Sequence, residues 1–284
     1  MTAVWQPIFP NGREQLVTEG FPPWLRRPLM PWFRNRLSPH GDYFPSDALT
    51  DFQLLTHTDW GFTSASISFG SQMMKFLETV EDETYINLMD FLLAWIPQPA
   101  GWGIDPKANE LNEVLKKANS EWTAARIGDR FTLVKSVSAG VLRSVEQTLN
   151  RDSAAAVELQ QAFTQAFGVH RSPSDAYSNA VVAVEIAALT VVKVNKDTAT
   201  LSNVINYLET QPDKWTLVFR DDRNAPGAET LAKMLRALWK GHESRHGRED
   251  YKDATEQQAQ AAVLLASTLV WWFSEGVVRP ASES

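Results

Sequence analysis

Two of the chain's five histidines, His242 and His246, stand with Arg236, Arg245 and Arg248 in the run LRALWKGHESRHGRED. Imidazoles exchange protons near neutral pH, and guanidinium groups hold anions with several fixed donors, so no other stretch competes as a candidate site. Bland explanations stand beside this one. Arg236 and Lys240 lie one turn apart, opposite the stripe Leu231, Leu235 and Leu238, where a solvated helix face accounts for them. His242, Arg245 and His246 follow a helix C-terminus, where cations are favoured by the dipole.

The other candidates are weaker. His40 and His57 lack metal-ligand spacing to a second histidine, so no metal is expected. His170 and Arg171 precede a helix start and read as loop residues. Glu185 sits within the apolar run VVAVEIAALTVV, where it must face solvent or pair with a base such as Arg236 or Arg245. Arg26, Arg27, Arg34 and Arg36 alternate with Trp24, Trp32 and Phe33, a combination able to stack on and neutralise a nucleic-acid strand, although a packing arm is the commoner use. Residues 41–60 carry Asp42, Asp47, Asp51 and Asp59 with no base, so mutual neutralisation with these arginines is expected. No glycine-rich phosphate loop, G-x-S-x-G elbow or H-E-x-x-H helix is present.

The elements that must position these residues follow from pattern. The repeated proline of FPPWLRRPLMPWFRNRLSPHGDYFP argues against a long helix, so residues 1–50 are expected as an extended arm with one short helix at most. Residues 51–168 read as a helical module. TYINLMDFLLAW and NELNEVLKKAN are helical, and Gly128-Asp129 divides a β-hairpin near 121–136, either a winged element or a structural flap. A further helix carries Val137, Val141, Val145 and Leu149, and another runs from Ser153 to Gly168.

Residues 169–280 hold four amphipathic helices. Ser172-Pro173-Ser174-Asp175 predicts a capped start. Thr200 caps the second helix, Leu231 to Trp239 form the stripe of the third, and Thr255 with Gln258 has capping-box spacing for the fourth, which closes at Gly276. Four such helices make a four-helix bundle.

The chain has 284 residues and no cysteine, which excludes disulfides, thiolate zinc sites and cysteine nucleophiles and favours an intracellular, cytoplasmic setting. The N-terminus lacks a basic start followed by an apolar run, and no apolar segment reaches the ~20 residues that span a bilayer, so no membrane association is expected. A net charge of −7 disfavours nucleic-acid binding by bulk charge and leaves it to local patches.

From HRSPSDAYSNAVVAVEIAAL through LRALWKGHESRHG to AAVLLASTLVWWFSEGVVR, the chain resembles bacterial proteins whose C-terminal half is similar to the abortive-infection C-terminal domain, grouped with the HEPN helical bundles. The fold this implies is mainly α, an N-terminal helical module with a small β-hairpin followed by a HEPN-like four-helix bundle.

The resemblance implies a phage-defence protein acting as a metal-independent endoribonuclease, without cofactor, working on RNA as a homodimer. Its motif is an arginine, four to six residues, then histidine. His246-Gly247 matches the histidine side, and counting back reaches Trp239, Lys240 or Gly241. Arg236 stands at motif spacing from His242. The implied roles are His246 as acid/base, His242 as assistant, and Arg236, Lys240 or Arg245 as phosphate stabilisers, with Arg248 and the four arm arginines binding RNA. The alternative is a non-catalytic interaction or sensor protein, using the bundle to dimerise and the arm to hold a protein partner.

Overall fold

The computed structural model describes residues 16–37, 46–60, 71–95, 106–137, 145–149, 151–194, 198–219, 226–240 and 253–283. Among these the chain is mainly helical, with two two-stranded ribbons. Its contacts divide it into two units, Met1–Arg126 with Arg130–Ser136, and Ile127–Asp129 with Val137–Ser284. The sequence placed the boundary near 168. It falls earlier because the helix ending at Phe167 packs on the helices that follow it.

The first unit contains α1 (Pro23–Leu37), α2 (Ser46–Thr56), α3 (Ser71–Thr79), α4 (Asp82–Trp95), α5 (Pro106–Lys117) and the strands β1 (Trp122–Ile127) and β2 (Arg130–Lys135). The α1 helix corrects the expected extended arm. Pro28 and Pro31 lie on its exposed face with Trp24 and Arg27, whose carbonyls are the ones those prolines leave without an N–H donor. Water can satisfy such groups. The opposite face buries Leu25, Leu29, Trp32, Phe33 and Leu37, at about 1.5–3 kcal/mol for each large apolar side chain. Burial of five such residues outweighs two prolines at about 3 kcal/mol each.

In α4, acids in the first turn suit the helix dipole, and Tyr85, Leu88, Met89, Leu92 and Leu93 are buried. The hairpin is pinned by two polar side chains. Asp90 accepts from the Thr132 hydroxyl and the Leu133 N–H, both at 2.7 Å. Asn112 accepts from the Thr123 hydroxyl and the Ala124 N–H and donates to the Ala124 carbonyl at 2.8 Å. With most strand residues buried, this hairpin is a packed flap and not a projecting wing. Gly128 takes φ +66° in its two-residue turn, a value that side chains resist.

The second unit holds helical residues 145–149 (α6), α7 (Ala154–Phe167), α8 (Pro173–Val191), α9 (Leu201–Thr210), β3 (Trp215–Leu217), α10 (Gly227–Lys240), α11 (Glu256–Ser274) and β4 (Val278–Pro280). Helices α7, α8 and α11 pack on one another, while α9 pairs with α10 and also touches α8. Alanines line the buried faces of α8 (Ala176, Ala180, Ala183, Ala187) and α11 (Ala259, Ala262, Ala266), so little side-chain bulk holds the axes apart.

Caps set the helix ends. Ser153 accepts from Ala156 N–H at the start of α7. Thr255 and Gln258 exchange both capping-box hydrogen bonds, at 3.2 and 2.9 Å. Ser172 departs from expectation, because its hydroxyl donates to Asp175 at 2.6 Å and does not cap the backbone. At the end of α11, Gly276 takes φ +68° and Val277 N–H reaches back to the Trp272 carbonyl at 3.0 Å, the Schellman arrangement. The chain then enters β4, which pairs antiparallel with β3 through Trp215–Pro280, Thr216–Arg279 and Leu217–Val278.

Among the described residues no helix is long and apolar enough to cross a membrane.

Candidate functional site

The α10 helix buries Leu231, Ala232, Leu235 and Leu238 and turns Arg236 and Lys240 away from that stripe. Lys240 is exposed at its last residue. Arg236 makes a two-pronged contact across to α9, with Nε 2.9 Å from Glu209 Oε1 and Nη2 2.5 Å from Oε2. Both partners remain more than one-third exposed, so the guanidinium is engaged without being sequestered from solvent. His242, Arg245, His246 and Arg248 lie outside the described residues.

The residues flanking the 241–252 connection, Leu238 before it and Asp253 and Ala254 after it, contact the start of α8. The Tyr177 hydroxyl donates to the Leu238 carbonyl, in the last described turn of α10, at 3.0 Å. Burial raises the ionisation of the Tyr177 phenol above its ordinary range, which keeps it a donor. One turn earlier, the Ser174 hydroxyl donates to Asp253 Oδ1 at 2.9 Å and accepts from Ala254 N–H at 3.1 Å. Arg171 adds a loose ion pair with Glu256 at 3.5 Å, so it does more than fill a loop.

Glu185 neither faces solvent unengaged nor bonds Arg236. Its Oε2 accepts from Leu201 N–H at 2.7 Å, an acid placed at the positive end of α9. Thr200 N–H completes this turn by donating to Asn203 Oδ1 at 3.0 Å.

The arm arginines separate by exposure. Arg26 is 6% exposed and donates to the carbonyls of Phe21 (2.7 Å), Leu77 (3.1 Å) and Val80 (2.6 Å) and to Asp82 Oδ1 (2.5 Å). Its guanidinium also lies 4.6 Å from the centroid of the Tyr85 ring. Gly20 permits this approach, since a Cβ there would collide with the Asp82 carboxylate, which also accepts from Phe21 N–H. Arg36 is 3% exposed, over the Trp32 ring. Neither is placed to receive a nucleic-acid strand, which corrects that expectation for the pair. Arg27 and Arg34 are exposed, with Arg27 3.6 Å from Glu78. The acids of 41–60 are not the partners seen for Arg26 and Arg27; Asp51 instead accepts from the Trp95 indole at 3.1 Å.

Among the described residues, no three His, Asp or Glu side chains converge as a metal site. An open cleft of about 480 Å³ lies beside β3, lined in part by Trp215, Pro212, Asp213 and Glu229. Asp213 and Glu229 give this lining negative charge.

Sequence reading missed Glu209, Ser174 and Tyr177. Glu209 stands one turn after Ile205 on α9, a position that looks like ordinary solvated surface. Tyr177 falls four residues after Pro173, where an aromatic among alanines reads as core. No protein-family model, curated protein or solved structure matches the chain.

Proposed function

We propose that the chain is an abortive-infection type protein whose C-terminal helices form a HEPN-like bundle carrying a metal-independent endoribonuclease. The observation supporting this reading is the bracketing of the basic, histidine-bearing connection 241–252. Leu238 before it and Asp253 and Ala254 after it are held by the same stretch of α8.

In this reading His246 takes the proton of a ribose 2′-hydroxyl as that oxygen attacks phosphorus. The 5′-oxygen leaves with a proton, leaving a 2′,3′-cyclic phosphate, and His242 assists the transfer. Arg236 is engaged by Glu209, so Lys240 and Arg245 carry the first charge-stabilising role, with Arg236 joining when substrate competes with the carboxylate. Arg248, Arg27 and Arg34 supply further phosphate contacts, and a second copy of the chain completes the assembly. The test is incubation with total RNA in excess chelator: cleavage by the wild type that His246→Ala abolishes, at unchanged unfolding midpoint, supports the reading. Intact RNA in both lanes overturns it.

One observation favours a second reading, a non-catalytic adaptor: Trp24 is 58% exposed on α1 beside the exposed Arg27. Partner binding that survives His246→Ala and is lost in Trp24→Ala/Arg27→Ala supports the adaptor. These substitutions are preferable to deleting residues 1–40, which would remove Arg26 from the core of the first unit.

A further inference from the structure

The open cleft beside β3 combines apolar walls with negative charge. Pro212, Trp215 and Pro226 supply the walls, Asp213 and Glu229 the carboxylates, and no base lines it among the described residues. Trp215 is half-buried, with its ring meeting Tyr207 edge to face at 6.4 Å. Its indole Nε1 is buried, so what this side chain offers the cleft is ring carbon. Antiparallel pairing of Trp215 with Pro280 fixes the strand that carries it. Asp213 is exposed and makes no hydrogen bond or ion pair among the described residues. Glu229 meets Lys233 at 3.9 Å, in a pair open to solvent on both sides, so a ligand can compete for it. The first turn of α10 also borders the cleft, with about +0.5 of an elementary charge, which two carboxylates outweigh.

A planar cation suits this set better than a compact one. Ammonium and metal ions hold their water strongly, and among the described residues no third acid or histidine converges to replace it. A guanidinium is weakly hydrated, stacks on an indole and gives paired N–H groups to a carboxylate. The volume of about 480 Å³ falls in the range of small-ligand sites, about 300–1,000 Å³. We infer that this cleft binds a guanidinium group carried on an aliphatic stem, the stem against Pro212 and Pro226, the planar group on Trp215 and its N–H groups on Asp213 and Glu229. This inference is independent of the ribonuclease reading.

The test is an amide NMR titration of the full-length protein with n-butylguanidinium chloride at low salt, beside n-butylurea as the uncharged analogue. Saturable shifts centred on residues 213–216 and 227–229 are expected, weakened about tenfold in Asp213→Asn/Glu229→Gln and in Trp215→Leu, and weakened by added salt. The urea should bind at least about tenfold more weakly. Absence of saturable shifts, equal binding of the urea, or unchanged affinity in the carboxylate variant overturns the site. That variant alters two surface groups, so it decides the matter even where Trp215→Leu disturbs β3. N-acetyl-arginine methylamide in a parallel titration identifies the source: binding alongside butylguanidinium assigns the site to an arginine side chain of another protein, and binding of butylguanidinium only assigns it to a small free cation.

Discussion

Arg26 in the first unit and Arg236 in the second each grip a carboxylate on another helix, yet they differ in everything around that contact. Arg26 is buried and spends most of its donors on backbone carbonyls near the end of α3, with Asp82 at the start of α4 as one partner among several. Arg236 is half-exposed, and among the described residues its hydrogen bonds go to Glu209. The first arginine donates to carbonyls near the end of α3, whereas the second stays open to solvent. A cluster of arginines in sequence does not distinguish these roles, because the distinction lies in which neighbours have unsatisfied carbonyls.

The largest effect expected from this contrast is that of Arg26→Ala. It strips donors from the Phe21, Leu77 and Val80 carbonyls and removes packing on Tyr85, costing about 3 kcal/mol or more in urea unfolding of the first unit. A loss below ~1 kcal/mol would erase the contrast. Next in size is Thr255→Ala, where losing the capping box of α11 costs about 1 kcal/mol by the same measurement. Arg236→Ala should cost less, about 0.2–1 kcal/mol, because its ion pair is open to solvent; on the proposed ribonuclease reading it also lowers RNA cleavage.

The smallest effect is that of Tyr85→Phe. The Tyr85 hydroxyl is buried with no hydrogen-bond partner among the described residues, so its removal leaves stability near neutral pH unchanged or slightly higher. Its ionisation is raised chiefly by burial, with Arg26 opposing. An unfolded tyrosine ionises near pH ~10, so the stability present below that pH falls as pH rises beyond it, the folded form holding its proton longer. Tyr85→Phe should flatten that alkaline loss in a pH series of unfolding midpoints.

How much the sequence disclosed follows the same division. The helices α7 and α11 were legible because cap, periodicity and terminal glycine agree at Ser153, Thr255 and Gly276. The hairpin was legible from Gly128-Asp129 between strand-prone runs. In α1 the local signals oppose the fold, and only the burial of Leu25, Leu29, Trp32, Phe33 and Leu37 decides the outcome. The ribbon of β3 and β4 was hidden because three-residue strands carry no periodicity, and their partners are far apart in sequence. Of the site, the sequence disclosed the basic histidine run, and α10 carries Arg236 and Lys240 on its polar face as its spacing required. It concealed Glu209, Ser174, Tyr177 and the role of Glu185, since each acts on a partner that sequence proximity does not reveal.

The most direct test of the account places three proteins side by side on total RNA in excess chelator: wild type, His246→Ala, and the exposed-arm variant Arg27→Ala/Arg34→Ala. Cleavage by wild type, retained in the arm variant at a reduced rate and lost in His246→Ala, is the predicted result. Cleavage that persists in His246→Ala, or RNA left intact by all three folded proteins, would contradict the assignment of a ribonuclease site to the connection between α10 and α11.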